Sequence, residues 1–306
     1  GSRASVNKSL IVCDTNQIFV GIDGGGTKCR ARVESATGGI VGVGMGGPAN
    51  PSLGMERTVS SIIEATRAAL ADADLEEETM DKLIAGVGIA GLHLPRYFEA
   101  MQAWRHPFRN MLLFDDVYTA CLGAHQGGDG AVIIAGTGFS ALSIADGRSL
   151  TVGGHGFLLG GDQCSGSWIG FEAVKAALLS QDGLGAATVL ADMLENKFSA
   201  RGLLLADALV GAIPRDYAAL APLVFSAAER GDTVAVGILR HAAAFIGRVV
   251  NILLEARPPR LSLIGGITGP ISAWLDPQTA AAISPPLAQP EQGAIYSARK
   301  RCTNPC

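Results

Sequence analysis

Short apolar runs that end in glycine-rich turns recur along the chain, and each predicts a buried strand. The first run covers residues 18–23 and ends in an acid directly before Gly24-Gly25-Gly26. Alternating apolar and polar positions over residues 28–33 predict the strand that returns from this turn. A second turn at residues 38–39 leads into a third strand, predicted over residues 40–44. The N-terminal region therefore predicts three consecutive strands joined by turns.

Helices alternate with strands after this region. Residues 59–71 carry apolar side chains at helical spacing and predict an amphipathic helix. Buried strands are predicted over residues 83–89 and 111–114, and the second of these ends in two aspartates. A helix is predicted to begin at about Val117. This alternation of strands and helices is typical of an α/β fold.

The strand–turn–strand pattern then starts again, which predicts a second α/β half with a boundary near Val117. A strand over residues 131–135 leads into Gly136-Thr137-Gly138, and the returning strand covers residues 140–144. The later elements are three helices, one strand and a C-terminal helix, predicted over residues 170–179, 216–229, 233–256, 261–264 and 293–300.

Composition narrows the classes of function. The chain has 306 residues, 48% hydrophobic and 17% charged, which predicts a globular protein with a substantial core. A net charge of −4, sparse aromatic residues and the lack of a basic stripe argue against nucleic acid as a partner. No apolar stretch reaches the ~18 residues of a membrane span and no secretory signal is visible, so we expect no membrane partner. The six cysteines form no C-x-x-C pair, which predicts reduced thiols in a cytoplasmic protein.

The first glycine-rich turn has the composition of a phosphate site. Backbone N–H groups of Gly24-Gly25-Gly26 can converge on an anion because no side chain blocks the approach, and Thr27 adds a hydroxyl donor before Lys28. Asp23 can hold Mg²⁺, which a bound triphosphate needs. A plain glycine-rich hairpin turn is the alternative. The segment is neither a Walker loop nor a Rossmann fingerprint, because it lacks G-x-x-x-x-G-K-[ST] and a strand pattern follows the glycines.

Two further turns make this pattern specific. Gly136-Thr137-Gly138 follows a fully apolar strand, and Gly265-Gly266 follows the late strand. The segments VGIDGGGTK, VIIAGTGFS and LSLIGGI resemble the phosphate-1, phosphate-2 and adenosine segments of the actin/hexokinase/Hsp70 ATPase superfamily. Within it, FDDVYTACLGAH and GGHGFLLGGDQCSGSWIGFEAVKAAL are similar to the BadF/BadG/BcrA/BcrD ATPase family, and most of all to its N-acetylglucosamine kinases and bacterial glucosamine kinases.

The resemblance implies an α/β fold of the duplicated, two-domain actin-like ATPase (ribonuclease H-like) class, with ATP in the cleft between the lobes. One lobe would comprise residues 1–117, joined by a C-terminal helix of residues 293–306, and the other residues 118–292. The implied activity is transfer of the ATP γ-phosphate, with Mg²⁺, to the 6-hydroxyl of N-acetylglucosamine or glucosamine. Asp23 would be the metal ligand, and the nucleotide would be bound by Gly24, Gly25, Gly26, Thr27, Lys28, Gly136, Thr137, Gly138, Gly265 and Gly266.

The sugar side of the predicted cleft depends on a few polar residues. Asp116 lies where a strand ends and a helix begins, and both this place and the resemblance make it the predicted catalytic base. A helix N-cap is the alternative role, which we assign to the adjacent Asp115. Asn50 lies in a Gly/Pro loop and offers its amide to sugar hydroxyls, with a turn-forming role as the alternative. The other predicted substrate-binding residues are Ala90, Gly91, Asp162 and Gln163.

One loop departs from the family pattern. Where N-acetylglucosamine kinases tend to read G-W-G-x-x-x-G-D-E-G-S, this chain has one extra residue and carries Gln163 in place of a glutamate. The D-Q-x-S-G form is nearer to the bacterial glucosamine kinases. The acetylated and the free amino sugar both stay open at this point. The oligomeric state, with a homodimer as one option, and the pathway also stay open.

Two other functions are compatible with the same fold. Activator subunits of dehydratases and CoA reductases resemble one another in a cysteine that helps to bridge an iron–sulfur cluster, whereas the comparable region here reads Ala90-Gly91-Leu92-His93. A non-catalytic sugar-binding regulator would be expected to lose Asp116 or the phosphate turns, and both are present. The sugar kinase is therefore the preferred prediction.

Overall fold

The computed structural model describes residues 9–303, so residues 304–306 of the predicted C-terminal segment lie outside the described residues. The strands are β1 (Ile11–Val12), β2 (Ile18–Gly24), β3 (Cys29–Ser35), β4 (Val41–Gly46), β5 (Ile84–Ile89), β6 (Asn110–Asp115), β7 (Gly130–Ala135), β8 (Phe139–Ala145), β9 (Arg148–Gly153), β10 (Leu261–Ile264) and β11 (Cys302–Thr303). The helices are α1 (Met55–Asp72), α2 (Pro95–Gln102), α3 (Asp116–Ala124), α4 (Gly166–Gln181), α5 (Val189–Phe198), α6 (Leu203–Ala208), α7 (Pro214–Ala218), α8 (Ala221–Glu229), α9 (Thr233–Glu255), α10 (Thr268–Ile271), α11 (Pro277–Ala282) and α12 (Pro290–Arg299). Short 3₁₀ helices lie at Pro51–Leu53, Glu77–Lys82, Phe157–Leu159 and Ser272–Trp274.

The first sheet has five strands in the order β4-β3-β2-β5-β6. β3 is antiparallel to both of its neighbours, whereas β5 and β6 continue the sheet parallel to β2. Helix α1 packs on this sheet through buried side chains such as Ile62 and Leu70. In β4, a Cβ atom at Gly44 would lie 2.3 Å from the carbonyl oxygen of Ala65 in α1. Glycine therefore lets helix and strand approach to backbone contact.

The second sheet has four strands in the order β10-β7-β8-β9. β7, β8 and β9 are antiparallel and β10 is parallel to β7, so the arrangement of the first sheet recurs in shorter form. Its core includes side chains from α4 and α9, among them Ile169, Leu239 and Ile246. The repeat of one strand arrangement in two sheets confirms the predicted duplicated α/β fold.

Helix α12 returns to the first sheet and lies between it and α3. Towards the sheet, Cβ atoms at Gly21 of β2 and Gly86 of β5 would come within 2.0 and 2.2 Å of backbone oxygens of α12. Towards α3, a Cβ atom at Gly293 would lie 2.0 Å from the carbonyl oxygen of Thr119. Because these positions are glycines, no side chain separates α12 from the first sheet on one side or from α3 on the other. This packing fixes α12 against the strand that carries Asp23 and the helix that begins at Asp116.

The cysteines differ from the prediction in one pair. Cys13 and Cys302 form a disulfide across 289 residues of sequence, beside the parallel pair of β1 and β11. The other cysteines among the described residues, Cys29, Cys121 and Cys164, are free and buried, as reduced thiols would be. Sequence spacing could not reveal this pair, because Cys13 and Cys302 come together only when α12 returns to the first sheet.

One predicted helix is divided in the structure, and a strand that was not predicted continues the second sheet. The helix predicted over residues 216–229 is divided into α7 and α8, and Pro222, which has no N–H group to donate, lies in the first turn of α8. β9 was not predicted, because this edge strand is short and partly exposed, and its apolar face consists only of Leu150 and Val152. By length and composition alone α9 could span a membrane, but it packs in the core of the second half, and core helices commonly meet the same criteria.

We expect Gly86→Ala to destabilise the protein by about 1–3 kcal/mol, because the added methyl group meets the backbone of α12, which cannot move without losing its other contacts. Gly237→Ala in α9 is the matched control, since a Cβ atom there meets no atom within 4 Å and alanine favours a helix. Urea denaturation would measure both variants. Equal midpoints for the two would contradict the packing described for α12.

Candidate active site

A cleft of about 1110 Å³ lies between the two halves. It brings together sixteen of the seventeen residues that the sequence singled out for the site, from both sheets and their loops. They are Asp23, Gly24, Gly25, Gly26, Thr27, Lys28, Asn50, Ala90, Gly91, Asp116, Gly136, Thr137, Gly138, Asp162, Gly265 and Gly266. The seventeenth, Gln163, lies elsewhere.

The two predicted phosphate turns face each other across this cleft. The first turn is closed by the N–H of Gly25, which donates to the carbonyl of Lys28 at 3.0 Å. The second is closed by the N–H of Gly136, which donates to the carbonyl of Gly138 at 3.0 Å. The hydroxyl oxygens of Thr27 and Thr137 lie 2.5 Å apart and share a hydrogen bond. Both turns can therefore contact the same anion.

The third glycine turn packs directly behind the second. Gly265 has a φ of +106°, and a Cβ atom there would lie 2.4 Å from the carbonyl oxygen of Ala135. The N–H of Ile267 donates to that same carbonyl at 3.0 Å. The N–H of Gly166, at the start of α4, donates to the carbonyl of Gly136 at 2.7 Å. Backbone contacts therefore fix the second and third turns to each other, and a side chain at Gly265 would separate them.

Acidic side chains gather where β2 and β6 of the first sheet end. Burial raises the pKa of Asp116 well above its usual range, and the nearby charges of Asp115 and Asp23 raise it further. The N–H of Val117 opposes this shift by bonding to the carboxyl group. Burial, followed by the charge of Glu291 in α12, raises the pKa of Asp23 to about 7. This end of the cleft therefore favours a bound cation or a shared proton.

Asp115 does not play the role that we predicted for it. It occupies the N-cap position of α3 with an extended backbone, but its carboxylate accepts no capping hydrogen bond. The side chain turns instead toward His93, whose Nδ1 lies 3.6 Å from Oδ1 of Asp115. The prediction that the Asp115 side chain caps α3 is therefore wrong. The residue stands at the N-cap position, but its carboxylate lies toward His93 of the loop after β5 and accepts no hydrogen bond from the helix.

Two predicted sugar contacts have polar atoms that the protein partly satisfies. Oδ1 of Asn50 accepts from the backbone N–H and the hydroxyl of Ser52, at 3.0 and 2.8 Å, so its amide NH₂ is the group left for a ligand. Asp162 is only 3% exposed, and its Oδ2 accepts from the hydroxyl of Ser165 at 2.9 Å. Its Oδ1 is buried without a hydrogen-bond partner among the described residues. Such an atom is costly unless a ligand donates to it.

Gln163 lies on the far side of its loop, so the prediction that it lines the sugar site is wrong for this structure. Its Nε2 donates to the carbonyl of Gly160 at 3.2 Å, and its Oε1 lies 2.7 Å from Nε2 of His241. The ring of His241 stacks on Trp168, and these side chains line a separate shallow depression. Because Asp162 is directed into the interior beside the cleft, its neighbour in the turn faces outward.

Several lining residues were missed by the sequence analysis. The division into α7 and α8 places Arg215, Phe225, Ser226 and Glu229 beside the predicted adenosine segment. Pro222, just inside the start of α8, was the available sequence signal for that division. His93 also lines the cleft, although the sequence analysis considered it only as a residue standing where a cysteine would be needed.

Comparison with known proteins places these features in a wider group. A model of the BadF/BadG/BcrA/BcrD ATPase family matches residues 20–294. The glucosamine kinase of Vibrio cholerae is 36% identical over 286 residues, which make up 92% of this chain and 96% of that protein. The N-acetylmuramic acid/N-acetylglucosamine kinase of Clostridium acetobutylicum is 28% identical, over 84% of this chain and 87% of that one.

A crystal structure from Chromobacterium violaceum, solved under the designation N-acetylglucosamine kinase, has the same fold. It aligns with a TM-score of 0.86 and 27% identity over 93% of this chain and 100% of that chain. This likeness confirms the predicted two-domain kinase fold.

We expect Asp116→Asn to be more thermostable than the wild type at pH 8, by a few degrees. Because the folded pKa of Asp116 lies above the unfolded value, the folded state holds the proton more tightly, and stability is lost as pH rises through the folded pKa. An asparagine does not ionise, so the difference should shrink toward zero at about pH 4. Melting curves from pH 4 to 8 would measure it.

The control for this experiment is Asp207→Asn on the exposed surface of α6, which should follow the wild type at every pH. An Asp116→Asn variant that melts with the wild type at pH 8 would contradict the electrostatics described for the cleft.

Proposed function

We propose, on the premise that this chain belongs to the BadF/BadG/BcrA/BcrD ATPase family, that its substrate is free glucosamine. The chain is an ATP-dependent amino-sugar kinase, as its relatives along nearly the whole chain are. The observation that carries the proposal is the meeting, in one cleft, of two phosphate turns and the carboxylate of Asp116. The facing turns are suited to a triphosphate, and Asp116 is suited to the hydroxyl that attacks it.

Asp116 acts as general base in this proposal. A carboxylate at this position accepts the proton of the sugar 6-hydroxyl while the oxygen attacks the γ-phosphorus. Its raised pKa makes it a stronger base than an ordinary aspartate once it is ionised. The N–H of Val117 fixes the orientation of the carboxyl group.

The glycine turns hold the triphosphate in place. Their N–H groups and the hydroxyls of Thr27 and Thr137 donate to phosphate oxygens, so nucleotide binding must separate the two threonines. Lys28 and Arg30, which follow the first turn, also line the cleft and add positive charge near the phosphates. The adenosine part lies between Gly265-Gly266 and α8, where Phe225 offers an apolar surface.

The residues present fit a magnesium ion that arrives with the nucleotide. Asp23 offers the hard oxygen ligand that Mg²⁺ prefers, next to the phosphate turn. Within residues 9–303 no group of three or more acidic, histidine or cysteine side chains could hold a metal ion unaided. Mg²⁺ would be held by the Asp23 carboxylate together with the bound nucleotide. When bound, Mg²⁺ neutralises the charge that develops on the phosphate oxygens.

Free glucosamine is preferred over N-acetylglucosamine for two reasons. The 36% identical relative acts on glucosamine, and it covers 92% of this chain. The buried Oδ1 of Asp162, which has no protein donor among the described residues, suits an ammonium or hydroxyl group of the sugar. The replacement of glutamate by Gln163 has no direct bearing on this choice, because Gln163 faces away from the cleft.

The activator function has no observation in its favour. The free cysteines among the described residues are buried, and the loop after β5 offers His93 where a cluster ligand would be needed. A cytoplasmic location is part of our proposal, because ATP and the metabolism of sugar phosphates are found there.

We expect wild-type protein to phosphorylate glucosamine with at least a ~10-fold higher kcat/KM than N-acetylglucosamine, glucose or N-acetylmannosamine. Asp116→Asn should lower kcat by about 10²–10⁴-fold, because the attacking hydroxyl loses its proton acceptor, while the Kd for ATP stays nearly unchanged. A coupled assay for ADP and calorimetry with ATP would measure these values.

The surface variant Asp207→Asn is the control and should match the wild type. Full activity of Asp116→Asn would refute the assignment of the base. A higher kcat/KM for N-acetylglucosamine than for glucosamine would refute the proposed substrate, and ATP turnover without any sugar phosphate would refute the kinase itself.

A further inference from the structure

His93 connects the two halves of the protein at the sugar end of the cleft. It lies on the loop after β5, in the half that carries Asp116, and its side chain is 37% exposed. Its Nε2 lies 2.6 Å from the carbonyl oxygen of Gly154, which follows β9 in the other half. The contact therefore spans the cleft.

The geometry on the far side is shaped for this contact. Gly154 has a φ of +81°, and a Cβ atom there would lie 3.2 Å from Nε2 of His93. A larger residue would be strained in its backbone and would press against the ring. The next residues of the same loop, from His155 to Phe157, line the cleft, and Asp162 follows a few positions later. The contact thus holds the segment that covers the sugar side.

The other ring nitrogen faces the neighbour of the catalytic base. Nδ1 of His93 lies 3.6 Å from Oδ1 of Asp115, and this buried oxygen has no hydrogen-bond partner within 9–303. Both groups that the ring meets are acceptors, so the doubly protonated imidazolium is the form that can donate to both. In agreement with this, the interaction with the Asp115 carboxylate raises the pKa of His93, while burial opposes the shift.

We propose that His93 is a positioning residue for the kinase reaction: anchored beside the Asp115 carboxylate, it fastens the loop of residues 153–161 over the sugar. This inference rests on the proposed function and adds a residue to it. His93 does not touch the phosphates in this account. Its loss should weaken sugar binding far more than ATP binding.

A second consequence concerns water. With the loop fastened, the sugar hydroxyl is the acceptor nearest to the γ-phosphate, and bulk water is kept out. With the contact removed, water gains access to the same position. A variant without the contact should therefore hydrolyse ATP faster in the absence of sugar than the wild type does.

The test compares variants on the two sides of the contact. His93→Ala and Gly154→Ala should each raise the KM for glucosamine by about 10–100-fold, leave the KM for ATP within about twofold, and increase ATP hydrolysis without sugar. His93→Gln should recover much of the sugar KM, because its amide nitrogen can still donate to the carbonyl of Gly154. Glu99→Gln, on the exposed face of α2, is the control with wild-type values.

Two results would overturn the inference. One is a glucosamine KM in His93→Ala that stays within about twofold of the wild type, or that rises together with the KM for ATP. The other is a His93→Gln variant no better than His93→Ala. Calorimetric titration with glucosamine separates this inference from the proposed function. If wild-type protein phosphorylates no sugar, the kinase proposal fails, while the affinities of the variants for glucosamine still decide the role of His93.

Discussion

The packing of α12 is the constraint on which the rest of the cleft depends. This helix contacts the first sheet through Gly21 and Gly86 and contacts α3 through Gly293. Gly21 lies two residues before Asp23 on the same face of β2, and α3 begins at Asp116. One helix near the end of the chain therefore sets the separation between the acid suited to a metal and the predicted base. Because these contacts join backbone to backbone, the carboxyl groups of Asp23 and Asp116 have little freedom to change their separation.

The electrostatics of the cleft follow from that placement. Burial is the main reason that the pKa values of Asp23 and Asp116 are raised, and the charge of Glu291 beside Asp23 and that of Asp115 beside Asp116 raise them further. An enzyme that binds a metal–nucleotide complex can use this arrangement, because the incoming cation relieves the repulsion. His93 lies beside the Asp115 carboxylate, and its interaction with that carboxylate raises the pKa of the imidazole. The acidic end of the cleft is therefore suited to a bound cation.

The sequence predicted those parts of the site that depend on backbone patterns. Apolar runs ending at Asp23, Ala135 and Ile264 marked the strands, and the glycines after them marked the turns, because each needs a small residue at a fixed place. The return of a C-terminal helix was also predicted, although its start at Pro290 precedes the predicted one.

Side-chain direction and long-range pairing were beyond the reach of the pattern. Whether Gln163 faces the cleft or the surface depends on the turn around Asp162, and whether Asp115 caps a helix depends on a histidine 22 positions earlier in the chain. The Cys13–Cys302 pair depends on the position of α12. These features arise from tertiary contacts, which no local window of sequence contains.

The most direct test of this account is the position of the phosphoryl group in the product. Glucosamine incubated with the wild-type protein, ATP and Mg²⁺ would be followed by ³¹P–¹H correlation NMR. The account predicts a phosphorus coupled to the two protons on C6, in glucosamine 6-phosphate, at a rate that depends on Asp116. Phosphate on another carbon, or inorganic phosphate as the sole product, would contradict it.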